Sequence, residues 1–275
     1  MLDYDIIIVS CARNIEKYLY KSLTKINMLK SLFKSSKVFI YENDSTDKTL
    51  EILKDWENKN IIKLFTEKNV PGKRTERLAH GRNILYNEAM KYDFDLLIVM
   101  DLDNVIELLS EEGILSCFDI KEDWAMLGGN QLDNYYDLWA LRTYDDWMPF
   151  DCWEYVRNNP FNIYYCVISR YKNIPKNSNI IKVKSCFGGI AIYKRKYLNN
   201  CSYGTGLQGN INKYQVCEHV QFNECIIRNG GNIYINPKLI NFNYINVFLN
   251  IILNIIIIII IIIIIIIIII INKFN

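Results

Sequence analysis

The stretch LLIVMDLDNV (residues 96–105) decides how this chain is to be read. Five apolar residues run straight into Asp101 and Asp103, and carboxylates at the edge of a core are costly unless something compensates them. An extended backbone alternates its side chains, so both carboxylates fall on one side and can share a hard cation such as Mg²⁺ or Mn²⁺ through oxygen ligands. Alone, a D-x-D tripeptide equally well reads as a helix cap; its position at the end of a strand in an α/β series favours a functional role.

Working outward, the apolar run DLLIVM (95–100) is the last of four, after DIIIVS (5–10), KVFIYE (37–42) and IIKLFT (61–66). Helical segments separate them, with Asn14 capping one to about Phe33, Ser45 or Thr46 one to about Glu57, and Thr75 one to about Met90. The runs are apolar throughout instead of alternating, as expected where helices cover both faces of a parallel sheet. The fold class is therefore α/β, a mostly parallel, doubly wound nucleotide-binding sheet over residues 1–105. Ligands of such sheets gather beyond the carboxyl ends of the strands, which singles out Cys11 to Asn14, Glu42 to Asp47, Thr66 to Lys73 and Asp101 to Asn104.

Residues 106–245 are rich in Trp, Tyr and Asn, with strand candidates at WAMLGG (124–129) and CFGGIAIYK (186–194) and a helix over 218–229; they read as a second half of the same domain. Residues 246–275 differ in kind, since every position from Ile255 to Ile271 is isoleucine. As a helix that run spans about 25 Å, near the thickness of a bilayer core. It reads either as a membrane anchor or as a simple-sequence expansion that serves no fold.

The 275 residues are 51% hydrophobic, enough for a substantial core. A net charge of +2, with both signs interspersed, excludes the basic stripe of a nucleic-acid binder. The start MLDYDIIIVSCARN lacks the basic region and long apolar stretch of a secretion signal, which predicts a cytoplasmic protein, or one on the cytosolic face of a membrane, that is not secreted. Eight cysteines occur singly without a C-x-x-C pair, so most are expected to be reduced.

Among the polar constellations, YENDSTDKT (41–49) is a strand-to-helix loop whose Glu42 and Asn43 stand where they can hydrogen-bond a nucleobase or ribose. In KRTERLAHGRNILYNEAM (73–90), Arg82 falls beside Leu78, Leu85 and Ala89 on the helical wheel, where a guanidinium wants an anion such as a phosphate or Asp103. Arg74 and Arg77 read as solvated, and His80 as structural. Asp137, Trp139 and Arg142 suit a sugar site, and Gly188 and Gly189 allow close backbone approach.

These pieces, in this order, resemble the glycosyltransferase family 2-like group with the GT-A fold, and equally the CAP59-like mannosyltransferases. IIIVSCARNIEKYL looks like the family's first strand and P-x-x-N-E loop, with Cys11 where proline is usual. ENDSTDKT is similar to D-D-x-S-x-D-x-T, and LAHGRNILYNEAMKYDFDLLIVMDLDN follows the family's RN helix, strand and D-x-D. CEHVQFNECIIRNGGNIYINPKLINF (217–242) resembles the segment that carries the family's E-D pair, with His219 in place of the aspartate.

The resemblance implies a metal-dependent enzyme that moves a sugar from a nucleotide-diphosphate donor to a hydroxyl of a glycan, protein or lipid. It implies donor contacts from Cys11, Arg13, Asn14, Glu42, Asn43, Asp44, Asp47, Arg82, Asp101, Gly188 and Gly189. Asp101 and Asp103 would then serve Mn²⁺ or Mg²⁺, and Glu218 or His219 would act as base, His219 alternatively as a further metal ligand. Two rivals share the sheet: a nucleotidyltransferase, whose glycine-rich first loop is absent from SCARNIEKYL, and an inactive binding or scaffold module of the same fold.

Overall fold

The computed structural model describes residues 1–205 and 215–243, so the isoleucine tract lies outside the described residues. Its first half alternates β1 (Leu2–Ala12), α1 (Glu16–Leu32), β2 (Phe33–Asn43), α2 (Thr49–Asn58), β3 (Lys63–Glu67), α3 (Arg74–Ala89) and β4 (Leu96–Met100). The second half adds α4 (Glu111–Leu115), β5 (Met126–Gln131), β6 (Arg142–Thr143), α5 (Cys152–Asn158), α6 (Ile163–Cys166), β7 (Ile181–Ser185), β8 (Ile190–Lys194), α7 (Glu218–Arg228) and β9 (Ile233–Phe242).

All nine strands form one sheet in the order β3-β2-β1-β4-β8-β5-β9-β7-β6. β1 pairs parallel with β2 and β4, Ile8 facing Val38 on one side and Ile98 on the other. β8 enters antiparallel between β4 and β5, with Val99 opposite Ala191. Apart from β7 and β8, the strands point the same way.

The continuous apolar runs are explained by burial on both faces. Ile6, Ile8, Val38, Ile40 and Ile98 pack under Leu19, Ile26 and Leu29 of α1 and Leu53 and Trp56 of α2. Their neighbours Ile7, Val9, Phe39 and Val99 pack under Leu85 and Tyr86 of α3 and Phe222 and Ile226 of α7. Each such side chain removed from water contributes about 1.5–3 kcal/mol, which fixes the strand register because a one-residue slip would exchange the two faces.

Three expected caps are corrected. α3 already begins at Arg74, so Thr75 lies inside its first turn, with its hydroxyl unpartnered among the described residues, and does not cap it. α1 starts only at Glu16, because Asn14 adopts a left-handed φ of +52° and spends its side chain on the neighbouring loop. α2 starts at Thr49, where Asp47 Oδ1 accepts from Thr49 N at 3.0 Å, and neither Ser45 nor Thr46 caps it. Of the cysteines, Cys201 and Cys225 form a disulfide across 24 residues, pinning the segment after β8 to α7, while the other six are free. Among the described residues, no helix is long and apolar enough to cross a membrane.

Candidate active site

The tips of β1 and β2 are laced together by side chains that serve backbone groups. Asn14 Oδ1 accepts from Thr46 N at 2.7 Å, and Ser45 Oγ accepts from Asn14 N at 3.1 Å. Asp47 Oδ2 accepts from Glu16 N, and Glu16 Oε2 from Lys48 N. Asp44 accepts from Asn69 N and Val70 N, and the Asn43 amide together with these backbone bonds holds its carboxyl below the usual range. Glu42 is buried and accepts from Ser45 N at 2.8 Å. Asn14, Glu42, Asp44 and Asp47 thus shape the loops, while Cys11, Arg13 and Asn43 line the adjoining cavity of about 620 Å³.

Arg82 lines the same cavity. From α3 its Nε donates to Glu218 Oε1 of α7 at 3.2 Å and its Nη2 to Asp101 Oδ1 beyond β4 at 3.4 Å. Its guanidinium lies 5.0 Å from the Phe187 ring centre and 5.9 Å from that of Tyr203. The anion expected for Arg82 is therefore the Asp101–Glu218 pair, not Asp103. The Arg82 and Glu218 side chains are 5% and 4% exposed and Asp101 is 32% exposed, so the pair is shielded and Asp101 opens to the cavity.

Three carboxylates of this cavity are held above their usual range. Burial pushes Asp101 up to about 7 against the pull of Arg82, with Asp103 adding repulsion. Burial likewise raises Asp103 and Asp137. Asp103 Oδ1 accepts from Val105 N, so it also caps the turn that follows. Asp137 accepts from Gly188 N at 2.9 Å.

The two glycines owe their conformation to this place. Gly188 has φ +71° and a Cβ there would lie 2.6 Å from the Gly129 carbonyl, and Gly189 has φ +91°. Gly189 O accepts from Asp101 N at 2.9 Å. The glycine backbone thus steadies Asp137 and Asp101, a role that their pairing in sequence did not reveal.

His219 stacks on Phe187 with ring centres 3.9 Å apart, and its Nε2 lies 3.9 Å from Glu218 Oε1. Burial, with Arg82 adding to it, lowers its pKa well below the ordinary value, so the imidazole is neutral. Neither ring nitrogen has a hydrogen-bond partner among the described residues. Nor, among those residues, do three or more His, Cys, Asp or Glu side chains gather as a ready-made metal site.

Two crowded, desolvated carboxylates still fit a hard cation that completes its shell with phosphate oxygens and water. Sequence reading missed the cavity positions of Arg74 and Arg77, and of Trp153, Tyr171 and Phe187. Asp137 and Trp139 do line the cavity, whereas Arg142 is spent on Asp151 at 2.7 Å and on the Trp139 and Leu141 carbonyls.

No family model matches the sequence, and no curated protein matches it. Solved structures do match in shape. The mannosyltransferase PcManGT from Pyrobaculum calidifontis, in complex with GDP-Man and Mn²⁺, superposes with a TM-score of 0.51 at 11% identity, covering 88% of this chain and 57% of its own. S. aureus TarS 1-349 gives 0.48 at 15% identity, covering 87% and 60%. Glucosyl-3-phosphoglycerate synthase from Mycobacterium tuberculosis, with Mn²⁺, UDP and phosphoglyceric acid, gives 0.38 at 13% identity, covering 72% and 58%. The chain thus spans under two thirds of the length of each. In sheet order and in its likeness to the first of these structures, it has the GT-A fold.

Proposed function

We propose that this chain is a metal-dependent glycosyltransferase that moves a sugar from a nucleoside-diphosphate donor to an acceptor hydroxyl. The observation that carries the reading is the meeting of Arg82, Asp101, Asp103 and Glu218 from separate elements at one cavity wall beyond the strand tips. Cys11, Arg13 and Asn43 would bound the nucleoside end, and Asp101 and Asp103 would hold Mn²⁺ or Mg²⁺ with the diphosphate. A bound cation would neutralise the charge that builds on the departing diphosphate. Arg74 and Arg77, on the same wall, carry the fixed positive charge that suits phosphate oxygens.

In the transfer step, the acceptor oxygen bonds to the anomeric carbon as the bond from that carbon to the diphosphate breaks. Glu218 or the neutral His219 takes the acceptor's proton. Trp139, Trp153 and Tyr171 also line the cavity and would offer aromatic faces to sugar C–H bonds.

A second reading, a binding module without turnover, draws on the engagement of Glu218 by Arg82, which occupies one of the oxygens a base would use. The test is calorimetric titration of the full chain with UDP and GDP, with and without Mn²⁺, beside Asp103→Ala. Metal-dependent binding of one nucleotide, lost in the variant, is expected, and hydrolysis or transfer of the matching nucleotide sugar then separates enzyme from module. A folded protein that binds neither nucleotide would overturn the donor site.

A further inference from the structure

His219 is buried, yet neither of its ring nitrogens has a hydrogen-bond partner among the described residues. A working imidazole is ordinarily aimed by a hydrogen bond to the nitrogen that does not react. Here its neighbours are rings. Phe187 stacks on the imidazole with centres 3.9 Å apart and planes 18° apart, and Tyr203 meets it edge-on at 5.6 Å and 83°. The same two rings flank the Arg82 guanidinium, at 5.0 and 5.9 Å.

The two rings are secured in different ways. Phe187 leads into β8, and its carbonyl accepts from Gly129 N of β5 at 3.1 Å. Tyr203 lies after β8, outside any helix or strand. Its place is set from both helices that carry the site. Asn83 of α3, the residue after Arg82, spends both ends of its amide on the Tyr203 backbone: Nδ2 donates to Tyr203 O at 2.9 Å, and Oδ1 accepts from Tyr203 N at 2.8 Å. Just before, Cys201 is joined by a disulfide to Cys225 of α7, and the Tyr203 ring lies flat on Phe222 of the same helix, with centres 4.1 Å apart. Filling the core would need only a buried ring; fastening its backbone to α3 as well ties Tyr203 to the neighbour of Arg82.

We propose that Tyr203 is a positioning residue: with Phe187 it fixes the orientation of the His219 ring by packing, where a hydrogen bond usually does so, and the Asn83 clamp sets where Tyr203 stands. The inference rests on the proposed function only for what the oriented imidazole then does, which is to face the acceptor hydroxyl; the orientation itself needs no turnover.

The test uses the full chain carrying isotope-labelled histidine. The chain has two histidines, and His80 is about half exposed, so the buried His219 gives a distinct resonance. In Tyr203→Leu the His219 resonance should move while that of His80 stays, and kcat with the matching nucleotide sugar should fall about 10²-fold with donor KM unchanged. Tyr203→Phe, which returns the ring, should rescue both. Where Tyr203→Leu does not fold, Asn83→Ala takes its place, since it releases the clamp and leaves every ring intact, and the same resonance should move. A His219 resonance that stays fixed in the folded variant would overturn the proposal, as would one that moves with kcat unchanged. Tyr203→Phe left at the level of Tyr203→Leu would overturn it too, because the hydroxyl and not the ring would then be the working part. A parent protein that binds nucleotide without transferring sugar would count against the transferase reading alone, and the resonance would still decide whether Tyr203 orients His219.

Discussion

At the tips of β1 and β2 the polar side chains satisfy one another's backbones: Asn14 with Thr46, Ser45 with Asn14, Asp47 with Glu16 and Thr49, Asp44 with Asn69 and Val70. Elsewhere around the cavity, buried polar atoms stand without partners among the described residues, namely both His219 nitrogens, Arg82 Nη1 and Trp139 Nε1. A buried polar group left unbonded costs about 1–3 kcal/mol, so the second arrangement persists against stability. One group is a frame whose bonds are complete before any ligand arrives, and the other holds its polar atoms in reserve.

The largest expected effect tests whether that reserve is chemical. Glu218→Gln keeps an oxygen for the Arg82 Nε bond but cannot take a proton, and sugar transfer should fall about 10²–10⁴-fold while the protein stays folded by circular dichroism. His219→Gln made in parallel decides between the two bases, since the larger loss identifies the proton acceptor. If neither change moves turnover, the unpartnered group is merely imperfect packing and the contrast with the β1–β2 loops loses its functional meaning.

Next in size is the ion pair that ties α3 to α7 within the second group. Arg82 belongs to α3 and Glu218 to α7, and their ion pair is shielded from water on both sides. Arg82→Met leaves Glu218 buried without its cation and should destabilise the fold by about 3–5 kcal/mol in urea unfolding. Adding Glu218→Leu should restore much of that stability, because a buried pair replaced by apolar groups is often neutral. A loss below about 1 kcal/mol in the single variant would mean that apolar packing alone joins the two helices.

The same contrast governs what the sequence made legible. β1 and β4 were readable because burial on both faces leaves an unbroken apolar run, and α7 because its pattern starts at Glu218 and ends at Arg228. The antiparallel insertion of β8 was not, since an apolar strand buried on both faces reads alike in either direction. The helical wheel marked Arg82 as buried, yet could not name a partner 136 residues away. Asn14 looked like a helix cap because Asn suits both a cap and a left-handed turn, and only the neighbouring loop selects between them. Arg74 and Arg77 read as solvated because nothing local tells an exposed arginine at a cavity mouth from one on an open face.

The smallest effect separates the halves by pH. In α3, Glu88 takes bonds from Lys63 at 2.6 Å and Lys91 at 2.8 Å, which hold its carboxyl down to about 2. A carboxyl depressed in the folded state stabilises it above the unfolded value, and that contribution disappears as pH falls from about 4.5 toward 2. Burial has the reverse effect on Asp137, whose ionisation opposes folding near neutrality and ceases to do so in acid. Both lysines are about half exposed or more, so screening trims the Glu88 contribution to about 1 kcal/mol. Glu88→Gln should therefore lower stability by about that amount at pH 7, with the difference closing at the acid end of a pH series of denaturant unfolding. A difference that stays constant across the series would assign Glu88 a role in shape alone, and would erase this part of the distinction between a framework of satisfied charges and a wall of costly ones.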